Sequence, residues 1–239
     1  MEESFARVEV KYMLTSARLP VFEAGLRSHG FCCRDFGSPL VQSLYYDSPD
    51  RLLIRSSLER PAYKEKLRLR AYGQPGAASM SFVEVKKKYR GVVYKRRTAL
   101  PLEEAARGLQ ERLLPEGTGQ VGREALWMVR RWNLVPSAVI AYDRSAWFSS
   151  LEPEIRITLD RNISFRDYDL DLSLPSENIP LILPDQRILE IKTGGVYPRW
   201  LAELLQAAGA KRIHFSKYGT AYQRCMRFGT HSKGAIHCA

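Results

Sequence analysis

The sequence predicts an α+β fold: an antiparallel β-barrel of about eight strands, its lumen a charged tunnel, flanked by helices. The first observation behind this is alternation. Arg7, Glu9 and Lys11 alternate with Val8, Val10 and Tyr12, and Lys64, Lys66, Arg68 and Arg70 alternate with Glu65, Leu67, Leu69 and Ala71. Glu84, Lys86 and Lys88 sit among Phe82, Val83, Val85 and Lys87. Arg144 follows two residues after Tyr142, Arg156 two after Glu154, and Lys192 two after Glu190. Side chains two apart on a strand share a face, so each segment gathers its charges on one side. The second observation is order: the strand patterns come before the closing helices, and sequence neighbours are joined by short turns.

The first strand covers about Phe5 to Met13. A helix starts near Ser16, with Leu19, Phe22, Leu26 and His29 at helical spacing and Gly30 as its stop. A strand from Leu40 to Tyr46 leads into Asp47-Ser48-Pro49-Asp50, which opens a short helical turn. Strands at Tyr63 to Tyr72, Met80 to Tyr89 and Val92 to Leu100 form an antiparallel meander, turned by Gln74-Pro75-Gly76 and Arg90-Gly91. Helical segments follow at Leu102 to Leu109 and Gly122 to Trp132. Strands resume at Ser137 to Arg144, Glu154 to Asp160 and Arg187 to Lys192, and helices at Pro198 to Ala208 and Lys217 to Arg227 close the pattern. Asp167 to Pro184 is acidic, bears prolines and lacks a period, which reads as a long surface loop. One domain over residues 1–228 and a flexible tail over 229–239 are expected.

Composition bounds the function. An apolar share of 45% and a charged share of 26% belong to a soluble globular protein, and the net charge of +11 points to an anionic partner. No secretory signal is visible after Met1, and no apolar run reaches the length of a spanning helix. The 4 cysteines show neither zinc spacing nor a disulfide framework, so a reducing, cytoplasmic setting is expected. His231, His237 and Cys238 read as a frayed terminus rather than a metal site. There is no GxxxxGK[ST], no GxGxxG after a strand and no GxSxG. Trp127, Trp132, Trp147 and Trp200 fit core or helix-packing roles better than a base-stacking platform.

For one strand, alternating charge is ordinarily a solvated face. Here Arg and Lys dominate face after face, and like charges opposite one another on a ladder are destabilising, so a bound anion is expected to offset them. Arginine grips phosphate oxygens with a planar fork and lysine acts as a point charge. Glu9, Glu84, Glu154 and Glu190 each lie within two positions of a cation on the same face. They read either as salt-bridge partners or as ligands of Mg²⁺ or Mn²⁺, and both roles remain open.

The residues then carry a resemblance. Arg7-Val8-Glu9-Val10-Lys11-Tyr12, Ser43-Leu44-Tyr45-Tyr46-Asp47-Ser48, Lys66-Leu67-Arg68-Leu69-Arg70 and Phe82-Val83-Glu84-Val85-Lys86 resemble the VTC-type polyphosphate polymerase domain. So do Tyr94-Lys95-Arg96-Arg97, Tyr142-Asp143-Arg144, Arg156-Ile157-Thr158-Leu159-Asp160, Leu189-Glu190-Ile191-Lys192 and Phe215-Ser216-Lys217-Tyr218, in the family's order. The resemblance implies a triphosphate tunnel metalloenzyme: a barrel whose basic lumen binds triphosphate with a divalent metal. The wider superfamily typically has Glu-x-Glu-x-Lys on its first strand. Arg7 replaces the first glutamate here, which resembles the polymerase branch rather than the hydrolases.

By the same likeness Lys11, Arg68, Arg70, Lys86, Lys95, Arg97, Arg144, Arg156 and Lys217 are implied phosphate contacts, with Glu190 as metal ligand. Lys192 joins the expected catalytic set, and Arg7, Lys66, Tyr142 and Ser216 the substrate-binding set, with Glu9, Glu84 and Glu154 as further metal candidates. The implied function is an ATP-dependent polyphosphate polymerase using Mn²⁺ or Mg²⁺, with ATP and polyphosphate as partners, no nucleic acid expected and no membrane segment in this chain. The alternatives are a triphosphatase or short-chain polyphosphatase, and a non-catalytic polyanion binder.

Overall fold

Alternation along the strands sorts the side chains of each sheet into an apolar face under helices and a charged face opposite. The computed structural model describes residues 8–34, 40–90 and 92–224. Its strands are β1 (Val8–Thr15), β2 (Cys32–Arg34), β3 (Leu40–Asp47), β4 (Tyr63–Tyr72), β5 (Met80–Tyr89) and β6 (Val92–Pro101), followed by β7 (Val135–Phe148), β8 (Arg156–Arg166), β9 (Ile179–Pro180), β10 (Gln186–Thr193) and β11 (Lys211–Ile213). The helices are α1 (Leu19–Ser28), α2 (Leu52–Leu58), α3 (Leu102–Glu111), α4 (Gly119–Trp132), α5 (Arg199–Ala207) and α6 (Lys217–Arg224).

The chain forms two compact units, with β7 and β8 contributing residues to both. The first is drawn from Met1–Pro39, Tyr142–Ile163 and Ile182–Phe215. Here β1 lies between β10 and β11, β10 continues to β8, and β2 pairs with β7. Leu14, Ile157, Leu159, Leu189 and Ile191 form its apolar face and pack with Phe22 and Leu26 of α1 and Leu201 and Leu205 of α5. Gly30 ends α1 as expected: its φ of 73° suits glycine, and the Phe31 amide donates back to the Leu26 carbonyl at 3.0 Å.

The second unit is drawn from Leu40–Ala141, Ser164–Leu181 and Ser216–Ala239. β4, β5 and β6 form the antiparallel meander that the turns predict, and β3 pairs with β4. Leu44, Tyr46, Leu67, Leu69, Val83 and Val85 form its apolar face against Leu102, Ala105 and Leu109 of α3 and Met128 and Val129 of α4. Leu67 and Leu69 are fully buried, each contributing about 2 kcal/mol. The Asp47 carboxylate opens α2 by accepting from the amides of Leu53 at 2.8 Å and Ile54 at 3.0 Å.

Every ladder whose register is described is antiparallel, but the expected closure of the strands into an eight-stranded barrel is not seen. Among the described residues β11 pairs only with β1 and β6 only with β5, so the many-stranded sheet is not closed by a ladder. Closure depends on hydrogen bonds between distant strands, which alternation does not report. The segment after β8 also departs from a plain surface loop. Leu172 and Leu181 are buried, and Ile179–Pro180 pairs with Ser164 and Phe165. The buried Arg166 donates to the Asp169 carbonyl at 3.0 Å, the Asp171 carbonyl at 2.7 Å and Asn178 Oδ1 at 3.0 Å. Trp127 is not a core residue either: it is half-exposed, with Lys87 and Arg131 each 5.5 Å from its ring. No helix among the described residues is long and apolar enough to cross a membrane. The expected tail over 229–239 lies outside the described residues, as do Arg7, Cys225 and the histidines after it.

Candidate functional site

Each unit carries one charged sheet face. In the first, Glu9 is opposite Lys192 and Lys11 opposite Glu190 across β1 and β10, while Lys192 is opposite Arg156 and Glu190 opposite Thr158 across β10 and β8. Glu190 is the hub. Lys192 Nζ lies 2.8 Å from its Oε1, Lys11 Nζ 3.8 Å from Oε2, and Arg144 Nη2 4.0 Å from Oε2. Burial works against the Glu190 carboxylate, but Lys192, Lys11 and Arg144 overturn that and hold it well below the usual carboxylate range. Lys11 also donates to the Phe215 carbonyl at 2.9 Å, and Arg144 lies over the Tyr142 ring at 5.1 Å.

In the second unit the ladders put Ser43 opposite Arg70, Tyr45 opposite Arg68, Arg68 opposite Glu84 and Lys66 opposite Lys86. They also put Glu84 opposite Arg97 and Lys86 opposite Lys95. Arg68 Nε donates to Glu84 Oε2 at 2.7 Å, Arg70 Nε lies 3.7 Å from the same oxygen, and Lys95 Nζ lies 3.1 Å from Oε1. Burial opposes the Glu84 carboxylate too, yet Arg68, Arg70 and Lys95 bring its pKa down to about 2. Arg96 points the other way, to Glu124 at 3.1 Å, so Lys95 and Arg97 are the members of this strand on the charged face.

The sequence-predicted residues thus divide. Lys11, Arg144, Arg156, Lys192, Glu9 and Glu190 share the first unit's face, and Lys66, Arg68, Arg70, Lys86, Lys95, Arg97 and Glu84 the second's. Ser216 precedes α6 and accepts from the Gly219 amide at 3.3 Å, and Lys217 is the first residue of that helix. Glu154 departs from expectation. It is exposed in a turn before β8 rather than on a strand, because Pro153 keeps the chain from pairing there.

Sequence reasoning missed residues on both faces. Asp160, fully buried, grips Arg144 with both carboxylate oxygens, at 2.6 and 2.7 Å. Tyr45 accepts from Arg68 Nη1 at 2.9 Å, and its ring stacks on Tyr218 at 4.7 Å. Ser43 is buried, and its hydroxyl has no hydrogen-bond partner among the described residues. Alternation in Ser43-Leu44-Tyr45 was the available signal, hidden because neither side chain is charged.

As arranged, the carboxylates do not make a cation site. Both oxygens of Glu190 face ammonium groups, both of Glu84 face cationic side chains, and the fixed positive charges repel a divalent ion. Among the described residues no group of three or more His, Cys, Asp or Glu side chains is placed to hold a metal.

Comparison with known proteins identifies the class. The family model "VTC domain" matches residues 6–226, so this chain belongs to the VTC domain family. No curated protein matches the sequence. Among solved structures, PH1819 protein from Pyrococcus horikoshii OT3 is similar at 12% identity and a TM-score of 0.43, covering 90% of this chain and 99% of that one. A chain of the Schizosaccharomyces pombe Mediator head module is similar at 11% identity and a TM-score of 0.43, covering 83% and 88%. The Mimivirus capping enzyme triphosphatase is similar at 10% identity and a TM-score of 0.31, also covering 83% and 88%. Likenesses this distant carry no argument about function.

Proposed function

We propose that this chain is an ATP-dependent polyphosphate polymerase, transferring the γ-phosphoryl group of ATP to a growing inorganic polyphosphate chain. Membership of the VTC domain family supports the reading. The observation that carries it is the pair of cation-rich faces, Arg68, Arg70, Lys86, Lys95 and Arg97 in one unit and Lys11, Arg144, Arg156 and Lys192 in the other.

Phosphoryl transfer asks a protein mainly for positioning and charge neutralisation. An oxygen of the chain's terminal phosphate, ionised at neutral pH, attacks the γ-phosphorus in line. The bond between that phosphorus and the β–γ bridging oxygen breaks, and ADP leaves with the electron pair. No proton is taken from the nucleophile, so no general base is needed. Arg68 and Arg70 offer N–H donors to phosphate oxygens, and Lys11 and Lys192 supply point charges. Glu84 and Glu190 keep these cations in one orientation. Family metal chemistry enters as a divalent ion supplied with ATP, and no step is assigned to it on these residues. The cysteine spacing, which shows no disulfide framework, supports the proposed reducing, cytoplasmic setting.

The test is to incubate the purified protein with ATP and Mn²⁺ or Mg²⁺ and resolve the products on a gel. A ladder of chains with release of ADP is expected. Orthophosphate alone would replace this reading by a triphosphatase, and unchanged ATP by a non-catalytic polyanion binder.

A further inference from the structure

The strand β6 ends its sheet, and its outer edge is open. All 10 of its residues lie in one unbroken register with β5, from Tyr89 opposite Val92 to Met80 opposite Pro101. Among the described residues no other strand pairs with it. In an antiparallel ladder every second residue turns its N–H and C=O away from the neighbouring strand. The edge therefore presents a row of backbone donors and acceptors that a further strand would satisfy. Natural sheets blunt such edges by shortening or bulging them. β6 is neither short nor bulged, and Val92, Val93 and Tyr94 along it are half-exposed.

The side chains beside this edge fall into two rows. Val92, Tyr94 and Arg96 lie on the helix-covered face of the sheet, and Val93, Lys95 and Arg97 on the charged face. In the first row Tyr94 and Arg96 join Val85 and Lys87 of β5 and Glu124 of α4 around a cavity of about 250 Å³. Trp127 of α4 stands beside Lys87, half-exposed, with the ammonium 5.5 Å from its ring. The second row is cationic. Lys95 lies 3.1 Å from Glu84 Oε1, and the Arg97 guanidinium lies over the Phe82 ring at 4.6 Å, with no ion pair among the described residues.

We propose that the outer edge of β6 is a docking site for an extended acidic segment of a partner protein, which adds to the sheet as a further strand. Its backbone completes the open ladder. On one side its apolar or aromatic residues meet Tyr94 and the cavity beside it, and on the other its carboxylates meet Lys95 and Arg97. Charge selects this occupant. A second copy paired through β6 would bring Lys95, Arg96 and Arg97 against the same three cations, and like charges across a ladder are destabilising. An inorganic polyanion would meet the cations but has no N–H groups for the outward carbonyls. A segment in which Glu or Asp alternates with apolar residues matches the edge, the cavity and the charge together. The proposal does not rest on the phosphate-transfer reading.

The probe is a capped peptide in which Glu alternates with Val and Phe, titrated calorimetrically into the full chain. Saturable binding is expected, weakened at least about tenfold by Tyr94→Ala, with tripolyphosphate affinity unchanged in that variant. The same peptide with Lys in place of Glu should not bind. Two further peptides, N-methylated at the Glu amides or at the Val and Phe amides, each lose the donors of one strand edge, so at least one should fail to bind. These peptides keep the proposal testable on the wild type if Tyr94→Ala does not fold. Equal binding of both N-methylated peptides would overturn strand addition, and equal binding of the Lys peptide would overturn the selection by charge. No peptide binding, with self-association of the chain lost in Tyr94→Ala, would replace the partner by a second copy. No peptide binding, with capture by phosphatidylserine vesicles lost in Tyr94→Ala, would replace it by a lipid surface.

Discussion

Arg144 and Asp160, on adjacent strands β7 and β8, meet through two hydrogen bonds, Nε to Oδ1 at 2.6 Å and Nη2 to Oδ2 at 2.7 Å. Asp160 is fully buried, so this carboxylate spends both oxygens on one guanidinium. Burial alone would favour a neutral Arg144; Asp160 overrides that and keeps it charged.

Loss of either partner should therefore cost more than a surface pair would. Asp160→Ala is expected to destabilise the protein by about 2–4 kcal/mol, because it takes two charge-assisted hydrogen bonds from the partly buried Arg144 and leaves it the longer contact with Glu190 at 4.0 Å. Asp160→Asn keeps the shape, and should fold while losing at least about tenfold in kcat/KM as Arg144 loses its orientation. Chemical denaturation and steady-state kinetics check the two effects separately.

In the proposed reaction Arg68 and Arg70 hold phosphate oxygens, and Arg68→Ala and Arg70→Ala test those roles. Each should cost on the order of 2–4 kcal/mol of transition-state stabilisation, seen as a fall in kcat of roughly 30- to 1000-fold. Near-normal turnover in a folded variant would remove that residue from the machinery.

Glu84 makes stability depend on acid. Its folded pKa of about 2 lies below the ordinary 4.5, so the ionised form is the one the fold favours. That contribution is whole above about pH 5 and is lost as the pH falls from 4.5 towards 2, amounting to roughly 3 kcal/mol. Urea unfolding at neutral pH and near pH 2 should show the loss in the wild type, and a flatter profile in Glu84→Gln.

Arg166 anchors the acidic segment through Asp169, Asp171 and Asn178. Arg166→Met should lose about 3 kcal/mol by removing three hydrogen bonds made by a buried charged group. Limited proteolysis should then cut between residues 167 and 178 well before it cuts the wild type.

Much of this arrangement was legible because charge and period coincide. The resemblance implied Lys95 and Arg97, and the β5–β6 register puts both with Glu84, leaving Arg96 to Glu124. Asp160 escaped because its partner is 16 residues away on another strand, and periodicity does not report pairing. Tyr45 escaped because an uncharged phenol leaves no mark in a charge pattern and its partner, Arg68, lies on another strand. Cys32–Arg34, Ile179–Pro180 and Lys211–Ile213 are too short to show a period, and the open ends at β11 and β6 are a matter of long-range pairing.

Calorimetric titration of the full chain with tripolyphosphate, comparing wild type with Arg70→Ala and Lys192→Ala, tests the two cationic faces most directly. Salt-sensitive binding is predicted for the wild type, weakened at least about tenfold by either substitution, since each removes a cation from one of the two faces. Equal affinity in all three proteins, or none in the wild type, would contradict phosphate binding by these faces.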